Sequence, residues 1–339
     1  MTSGLNHDGS ILFLSCDLQN STQFKQKSGS KGWIATFLAF YTEFPALLST
    51  EIAGSCPSLQ DRLLLWKAVG DELIFSIRIQ SEGECSDAVD VWLAAMLAFE
   101  KAHLLGKTPM TLKGGAFLAT VPSPDRRVAI PRSVETADRS QLDAEAMNEA
   151  TLNNTTDEDK FTAKFAMDFV GPSIDTGFRV LKYASRRYFV LTVEVAHILF
   201  KHYSDEVQRE RKAYLVGTHE LKGVWGGKPY PVFAVARDLG QQAPAQVLAE
   251  AFTDGALIAD EHPYCKPHDV LTAIAAYRAD DEWKGAVHAP QAHWTGFQSH
   301  IPAVTERELL DKLIDTSEDP LDSADDEGDE DSAVGMPTS

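Results

Sequence analysis

Arg62–Ile79 reads RLLLWKAVGDELIFSIRI. Two apolar runs flank Gly70–Asp71, so the stretch predicts a β-hairpin with those two residues at its tip. Ser10–Asp17 (SILFLSCD) is a short apolar run leading into a polar loop. It predicts a buried strand that ends at Asp17. Between the two, Gln19–Thr22 supplies capping residues for a helix. Trp33–Ile52 then places Trp33, Phe37, Phe40, Phe44, Leu47 and Leu48 on one helical face, with Pro45 expected to kink or break it.

Downstream, Asp87–Leu104 carries Val91, Leu93, Met96, Leu97 and Leu104 at the spacing of an amphipathic helix. Met110–Val121 (MTLKGGAFLATV) predicts a strand in which Gly114–Gly115 marks a bulge or a close backbone approach. Pro122–Phe165 is polar and shows no clear strand. It predicts an insertion with a partly helical centre (Ser140–Ala150) and a mobile end (Leu152–Asp159). A helix over Pro172–Ser185 follows, with Pro172 at its first position. Then come a strand (Tyr188–Thr192), a helix (Val193–His202) and paired strands (Ala213–Leu221, Tyr230–Val235). Beyond Arg237 the pattern is mixed helix and loop. The order β-α-ββ-α-β-(insert)-α-β-α-ββ implies a mostly antiparallel sheet around a crossover unit, an α+β sandwich of the ferredoxin-like kind. The expected divisions are residues 1–237 as the folded domain with the insertion at 122–165, residues 238–314 as an extension, and residues 315–339 as an acidic tail.

The 339 residues carry a formal charge of −19, with 44% hydrophobic and 24% charged residues. That composition suits a globular chain, and its sign opposes binding to nucleic-acid backbones or anionic lipid. Much of the excess lies in Asp315–Asp331 (DTSEDPLDSADDEGDED), a solubilising or partner-docking tail. No apolar run approaches the ~20 residues of a membrane span, and no secretory signal opens the chain. Cys16, Cys56, Cys85 and Cys265 are scattered, as expected in a reducing cytoplasm. The histidines show no metal-ligand spacing of the His-Glu-x-x-His type.

Asp17 ends one predicted central strand, and Asp71 sits at the tip of a hairpin able to pair beside it. Two carboxylates on neighbouring turns can hold two divalent cations about 4 Å apart. The same residues serve equally as a helix cap and a turn residue. The helix N-terminus after Leu18–Thr22, spanning Leu18, Gln19, Asn20, Ser21 and Thr22, offers free amides for phosphate oxygens.

Four segments in order carry a resemblance. ILFLSCDLQNST, WKAVGDELIF, MDFVGPSIDTGFRV and ELKGVWGGKPYPVFAV resemble the metal strand, the Lys-x-x-Gly-Asp hairpin, the Asp-x-x-Gly…Arg helix and the closing Leu-Lys-Gly segment of class III nucleotidyl cyclase catalytic domains, over roughly Ser10–Arg237. The resemblance implies two divalent cations, Mn²⁺ or Mg²⁺, on Asp17, Asp71 and the Leu18 carbonyl. It implies Lys67 and Asp168 at the base-reading positions, Arg179 as stabiliser of the transition-state charge, and Lys222 near the triphosphate. It also implies a head-to-tail homodimer with composite sites, since the metal aspartates and the base-reading and Arg side chains come from opposite subunits in that family. Three positions depart from the pattern. Asp175 stands where the family has a ribose-orienting Asn. The strand LKGGAFLATV lacks the Gly-Ile-His-x-Gly continuation. The insertion is longer than usual.

The chain is most similar in layout to stand-alone bacterial cyclases of the Pycsar anti-phage system. That likeness implies UTP or CTP as substrate, a cyclic mononucleotide product and a separate effector protein that responds to it. A small base needs a pocket narrowed by bulky side chains, for which Trp66, Phe169 and Tyr41 are available. The alternatives are an adenylate cyclase, favoured by Lys67 and Asp168, and a cyclase-like module that binds without turnover, favoured by Asp175. A diguanylate-type enzyme would want a Gly-Gly-Asp/Glu-Glu-Phe signature that AVGDELIF only partly imitates.

Overall fold

β1 (Gly9–Gln19) carries Ile11, Leu12, Phe13, Leu14, Cys16 and Leu18 and is buried along nearly its whole length. That is what a central strand covered on both faces requires. A computed structural model describes residues 9–27, 32–132, 147–148, 150–152, 164–205, 212–237, 262 and 264–279, all within one compact unit, Met1–Ile301. Its remaining strands are β2 (Leu64–Val69), β3 (Glu72–Arg78), β4 (Thr111–Val121), β5 (Arg126–Pro131), β6 (Phe165–Val170), β7 (Tyr188–Leu191), β8 (Ala213–Glu220), β9 (Pro229–Ala236) and β10 (Tyr264–Cys265). Its helices are α1 (Ser21–Lys27), α2 (Ile34–Ser55), α3 (Glu82–Phe99), α4 (Pro172–Val180), α5 (Val193–Asp205) and α6 (Pro267–Ala279).

Eight strands form one sheet in the order β10-β8-β9-β7-β4-β1-β3-β2, and β5 pairs with β6 in a separate ribbon. β1 runs antiparallel to both β3 and β4, whereas β4 and β7 are parallel. The order β4-β1-β3-β2, with helices after β1 and after β3, is the expected ferredoxin-like βαββαβ core. The chain is thus an α+β protein with a large, mostly antiparallel sheet flanked by helices.

The register decides what each face of the sheet carries, because directly opposed residues share a face. Leu14 opposes Phe75, and Phe75 lies 5.5 Å from Trp92 of α3, so α3 covers that face, with α2 packed behind it. Phe13 opposes Phe117, and Phe117 lies 5.8 Å from Phe178 of α4, so α4 covers the other. Gly114 and Gly115 on β4 mark the close approach expected of them. A Cβ at Gly114 would overlap the Ser15 carbonyl, and one at Gly115 would overlap Val190 and Leu181.

Several boundaries differ from the sequence reading. Pro45 lies inside the unbroken α2. The lost amide bond is outweighed by a face of Phe37, Phe40, Phe44, Leu48 and Ile52, all buried, in which Phe44 packs edge-on to Trp92. α3 begins at Glu82 rather than Asp87, because Ser81 caps it by accepting from the Glu84 amide at 2.8 Å. At its other end the helix widens into one π turn, Glu100–Leu104. α4 stops at Val180 and closes as a 3-10 turn, Leu181–Tyr183. The insertion does contain a strand: β5 pairs in register with β6, Val128 opposite Asp168. Its expected helical centre and mobile end lie largely outside the described residues. Past Arg237, β10 adds an edge strand beside β8.

Candidate functional site

Asp17 faces the α4 side of the sheet, on the same face as Phe13 and Ser15. Its cross-strand neighbours are Glu72 on β3 and Lys113 on β4. The hairpin tip folds back onto it. The Leu18 amide donates to the Asp71 carbonyl at 3.1 Å, and the Ser21 hydroxyl donates to the Asp71 carboxylate. Two aspartates fifty-four positions apart in sequence (71 − 17 = 54) are thereby joined through adjacent backbone. Gly70, with φ +64°, makes the reversal that an L-residue would resist.

Burial raises the pKa of Asp17, the Lys113 ammonium opposes that rise, and the Asp71 charge adds to it. Glu72 is raised for the same first reason, with Ser15 donating to its carboxylate against the trend. Folded-state values above the unfolded ones mean that the folded chain holds these protons more tightly. Stability therefore falls as pH rises through that window, and a bound cation would offset the cost. The resident cation is Lys113, whose ammonium lies 3.0 Å from the Asp17 carboxylate. Neither Lys113 nor Glu72 stood out in the sequence, since only the β1–β4 and β1–β3 registers bring them to Asp17.

Lys67 and Asp168 also meet, at 2.7 Å. A bulge between Leu65 and Lys67 puts Trp66 and Lys67 against one residue pair of β3, which turns both toward the α4 face. Lys67 then opposes Ile74, itself opposite Ser15. Asp17 and Lys67 accordingly share one face of the sheet, their backbones about 12 Å apart on ordinary strand spacings. Among the described residues no ion pair joins the two sets.

Trp66 and Phe169, available to narrow a pocket, are core side chains first. Phe169 is 4% exposed, and the Trp66 ring packs 4.6 Å from Phe13 and 5.7 Å from Phe169. Each such pair is worth about 0.5–1.5 kcal/mol beyond burial, which accounts for their placement without a ligand. The edge of the cluster is what reaches the candidate site: the Lys67 ammonium lies 4.0 Å from the Trp66 ring and 5.9 Å from Phe178. Tyr41 is elsewhere. Its hydroxyl donates to the Gly70 carbonyl, so it braces the hairpin tip instead of narrowing a base pocket.

Arg179 donates to the Asp175 carbonyl at 2.8 Å and lies 4.0 Å from its carboxylate. The Asp175 side chain is 72% exposed. Asp175 is thus both paired and turned to solvent. Gly223 approaches the Arg179 guanidinium, and the neighbouring Lys222 is exposed. In the segment expected to bind phosphate, Gln19 accepts from the Thr111 hydroxyl at 3.2 Å. Asn20 takes φ +67°, with its carbonyl receiving the Phe24 amide, and Thr22 is exposed.

Among the described residues no group of three or more His, Cys, Asp or Glu is placed to hold a metal ion. The expected site asks for less, two carboxylates and a carbonyl. Hard carboxylate oxygens suit Mg²⁺ or Mn²⁺, and the half-buried, mutually repelling Asp17 and Asp71 are a donor set that a dication fits. No described helix is long and apolar enough to cross a membrane.

Protein-family models return no match to this sequence, and neither do curated proteins. Solved structures do. The adenylyl cyclase CyaB from P. aeruginosa is similar over 70% of this chain and 96% of its own, at 10% identity and a TM-score of 0.45. The guanylate cyclase domain of RhGC from Catenaria anguillulae, in complex with GTP, is similar over 68% and 98%, at 13% identity and 0.43. The guanylyl cyclase Cya2 is similar over 70% and 98%, at 13% identity and 0.42.

Proposed function

We propose that the protein is a nucleotidyl cyclase of the class III type, closing a pyrimidine nucleoside triphosphate, UTP before CTP, into its 3′,5′-cyclic monophosphate with release of pyrophosphate. The observation that carries the reading is the convergence of Asp17 and the Asp71 hairpin tip, where the Leu18 amide and the Ser21 hydroxyl both bond Asp71.

Asp17, Asp71 and the Leu18 carbonyl would hold two Mg²⁺ or Mn²⁺ ions. Such ions, when bound, lower the pKa of the ribose 3′-hydroxyl and offset the triphosphate charge. Lys113 balances the Asp17 carboxylate when no other cation does. Lys67 and Asp168 present a donor and an acceptor to the base, with Trp66 and Phe178 narrowing the approach, which favours a single-ring base. Arg179 meets charge developing on the phosphoryl group, and Lys222 lies in the segment next to it. In this chain Arg179 is turned onto Asp175 of its own helix, and among the described residues no ion pair joins it to Asp17 or Asp71. That arrangement favours a two-fold homodimer in which each site draws its aspartates from one copy and Lys67, Asp168 and Arg179 from the other. The cyclic product would then act on a separate effector, in the manner of bacterial anti-phage signalling. A purine reading is favoured by one contact, the Lys67–Asp168 pair itself, and would make ATP the substrate.

The test is to incubate the full chain with each of the four ribonucleoside triphosphates and Mn²⁺ or Mg²⁺, and to identify products by mass spectrometry. Cyclic UMP is the expected product. Cyclic AMP would replace the base assignment, and no cyclic product from any triphosphate would end the catalytic reading. Lys113 gives a second measurement. An ammonium 3.0 Å from a ligand oxygen competes with an incoming dication. Lys113→Met should therefore bind Mn²⁺ about tenfold more tightly without nucleotide, roughly 1.4 kcal/mol, as read by electron paramagnetic resonance. Unchanged affinity would show that the ion binds elsewhere.

A further inference from the structure

At the end of α3 the backbone opens into its π turn, with the Leu105 amide donating to the Glu100 carbonyl at 2.8 Å. Single π turns of this kind often mark functional sites. Beside it lies a cavity of about 470 Å³, walled by the turn, the following loop to Met110, Thr111 at the start of β4, and Arg186. The volume falls in the range that takes a small organic molecule.

Its lining is divided by chemistry. Leu97 and Leu105 are half-buried and give an apolar wall, backed by the buried Leu104 and Met110. The exposed Lys101 and Lys107 stand around it. The one acidic residue of the lining, Glu100, is already engaged, with one oxygen accepting from the Leu112 amide at 2.8 Å and the other pairing with Arg237 at 3.0 Å. Two lysines, of which Lys107 also donates to the Ala102 carbonyl, face one neutralised carboxylate in a chain whose formal charge is −19. A positive hollow on so acidic a protein concentrates anions that the rest of the surface repels.

We infer that this cavity is a binding site for a small organic anion with an apolar body, a carboxylate or its equivalent on a short hydrocarbon, seated against Leu97 and Leu105 with its charge between Lys101 and Lys107. The site is distinct from the Asp17–Asp71 cluster but adjoins it along β4. Thr111 lines the cavity and donates to Gln19, and Lys113, two residues on, is the partner of Asp17. The binding claim does not depend on what reaction the protein performs.

The experiment is calorimetric titration of the full chain with three probes: octanoate, its neutral analogue octanamide, and inorganic phosphate. Octanoate should bind saturably with one site per chain, and octanamide and phosphate each at least about tenfold more weakly, since each lacks half of the match. Lys101→Glu should weaken octanoate about tenfold and Lys101→Glu with Lys107→Glu about a hundredfold. Unchanged circular dichroism and melting temperature would show that both variants stay folded. Octanamide binding as tightly as octanoate would remove the role of charge, and phosphate binding as tightly would remove that of the apolar wall. Absence of saturable octanoate binding, or wild-type binding by both variants, would overturn the assignment of the site.

Discussion

Asparagine in place of Asp17 or of Asp71 should lower kcat/KM for cyclic product by about a thousandfold, roughly 4 kcal/mol of transition-state stabilisation. Asparagine keeps the shape and an acceptor oxygen, so Ser21 can still donate to position 71. What it removes is the charge that would hold the cations. Folding should change little, because opposing effects nearly cancel at position 17. Burial penalises the Asp17 carboxylate, and its loss relieves that penalty but leaves Lys113 without its partner. Steady-state kinetics beside calorimetric melting would separate the two effects. Wild-type turnover from Asp71→Asn would take that carboxylate out of the reaction. The composite-site proposal adds a sharper number. Mixing equal amounts of Asp17→Asn and Arg179→Ala chains places half of the subunits' pairings in mixed dimers, each with one intact site. About a quarter of wild-type activity should return. Mixed dimers that form yet stay inactive would argue that each chain works alone.

The hairpin and its two aspartates were legible because apolar runs around Gly70–Asp71 and before Asp17 leave few folds open to them. Lys67 and Asp168 could be placed only by resemblance, and their 2.7 Å pairing depends on a bulge at Trp66 that no alternation of residues announces. Lys113 and Glu72 were illegible for a related reason. A strand's register with its neighbour is a tertiary property, and shifting it by one residue would turn either side chain to the other face. The Ser81-x-x-Glu84 start of α3 is readable locally, but the apolar spacing that begins at Asp87 is the stronger signal and places the helix start too late. β5 was missed because RRVAIP is short and half polar; it becomes a strand through pairing with β6 across the insertion. Trp66, Phe169 and Tyr41 show the limit of composition as a guide to pockets. Large aromatics fill cores more often than they line sites, and here two pack on Phe13 or its neighbours and the third buttresses a turn.

Arg237 and Glu100 form the pair whose loss should most damage the fold. Their side chains are 1% and 8% exposed, and the charged groups lie 3.0 Å apart. Arg237 also donates to the carbonyls of Leu112 and Arg186, while Glu100 receives the Leu112 amide at 2.8 Å. Four segments distant in sequence meet in one polar knot. Glu100→Met leaves a guanidinium buried without its counter-charge and an amide without its acceptor, at a cost of about 3–5 kcal/mol. For a domain of this size that lowers Tm by roughly 6–20 °C. Glu100→Met with Arg237→Met removes both charges together, so the double variant should be about as stable as Glu100→Met alone and clearly more stable than the two losses summed. Additive losses, measured by denaturant unfolding, would mean that the carboxylate and guanidinium do not act on one another. The single variant should also speed hydrogen exchange at the Leu112 amide, because that group loses its bond whichever way the charges are resolved. Leu112 opposes Leu18 in the β1–β4 register, so the loosening would be felt one residue from Asp17.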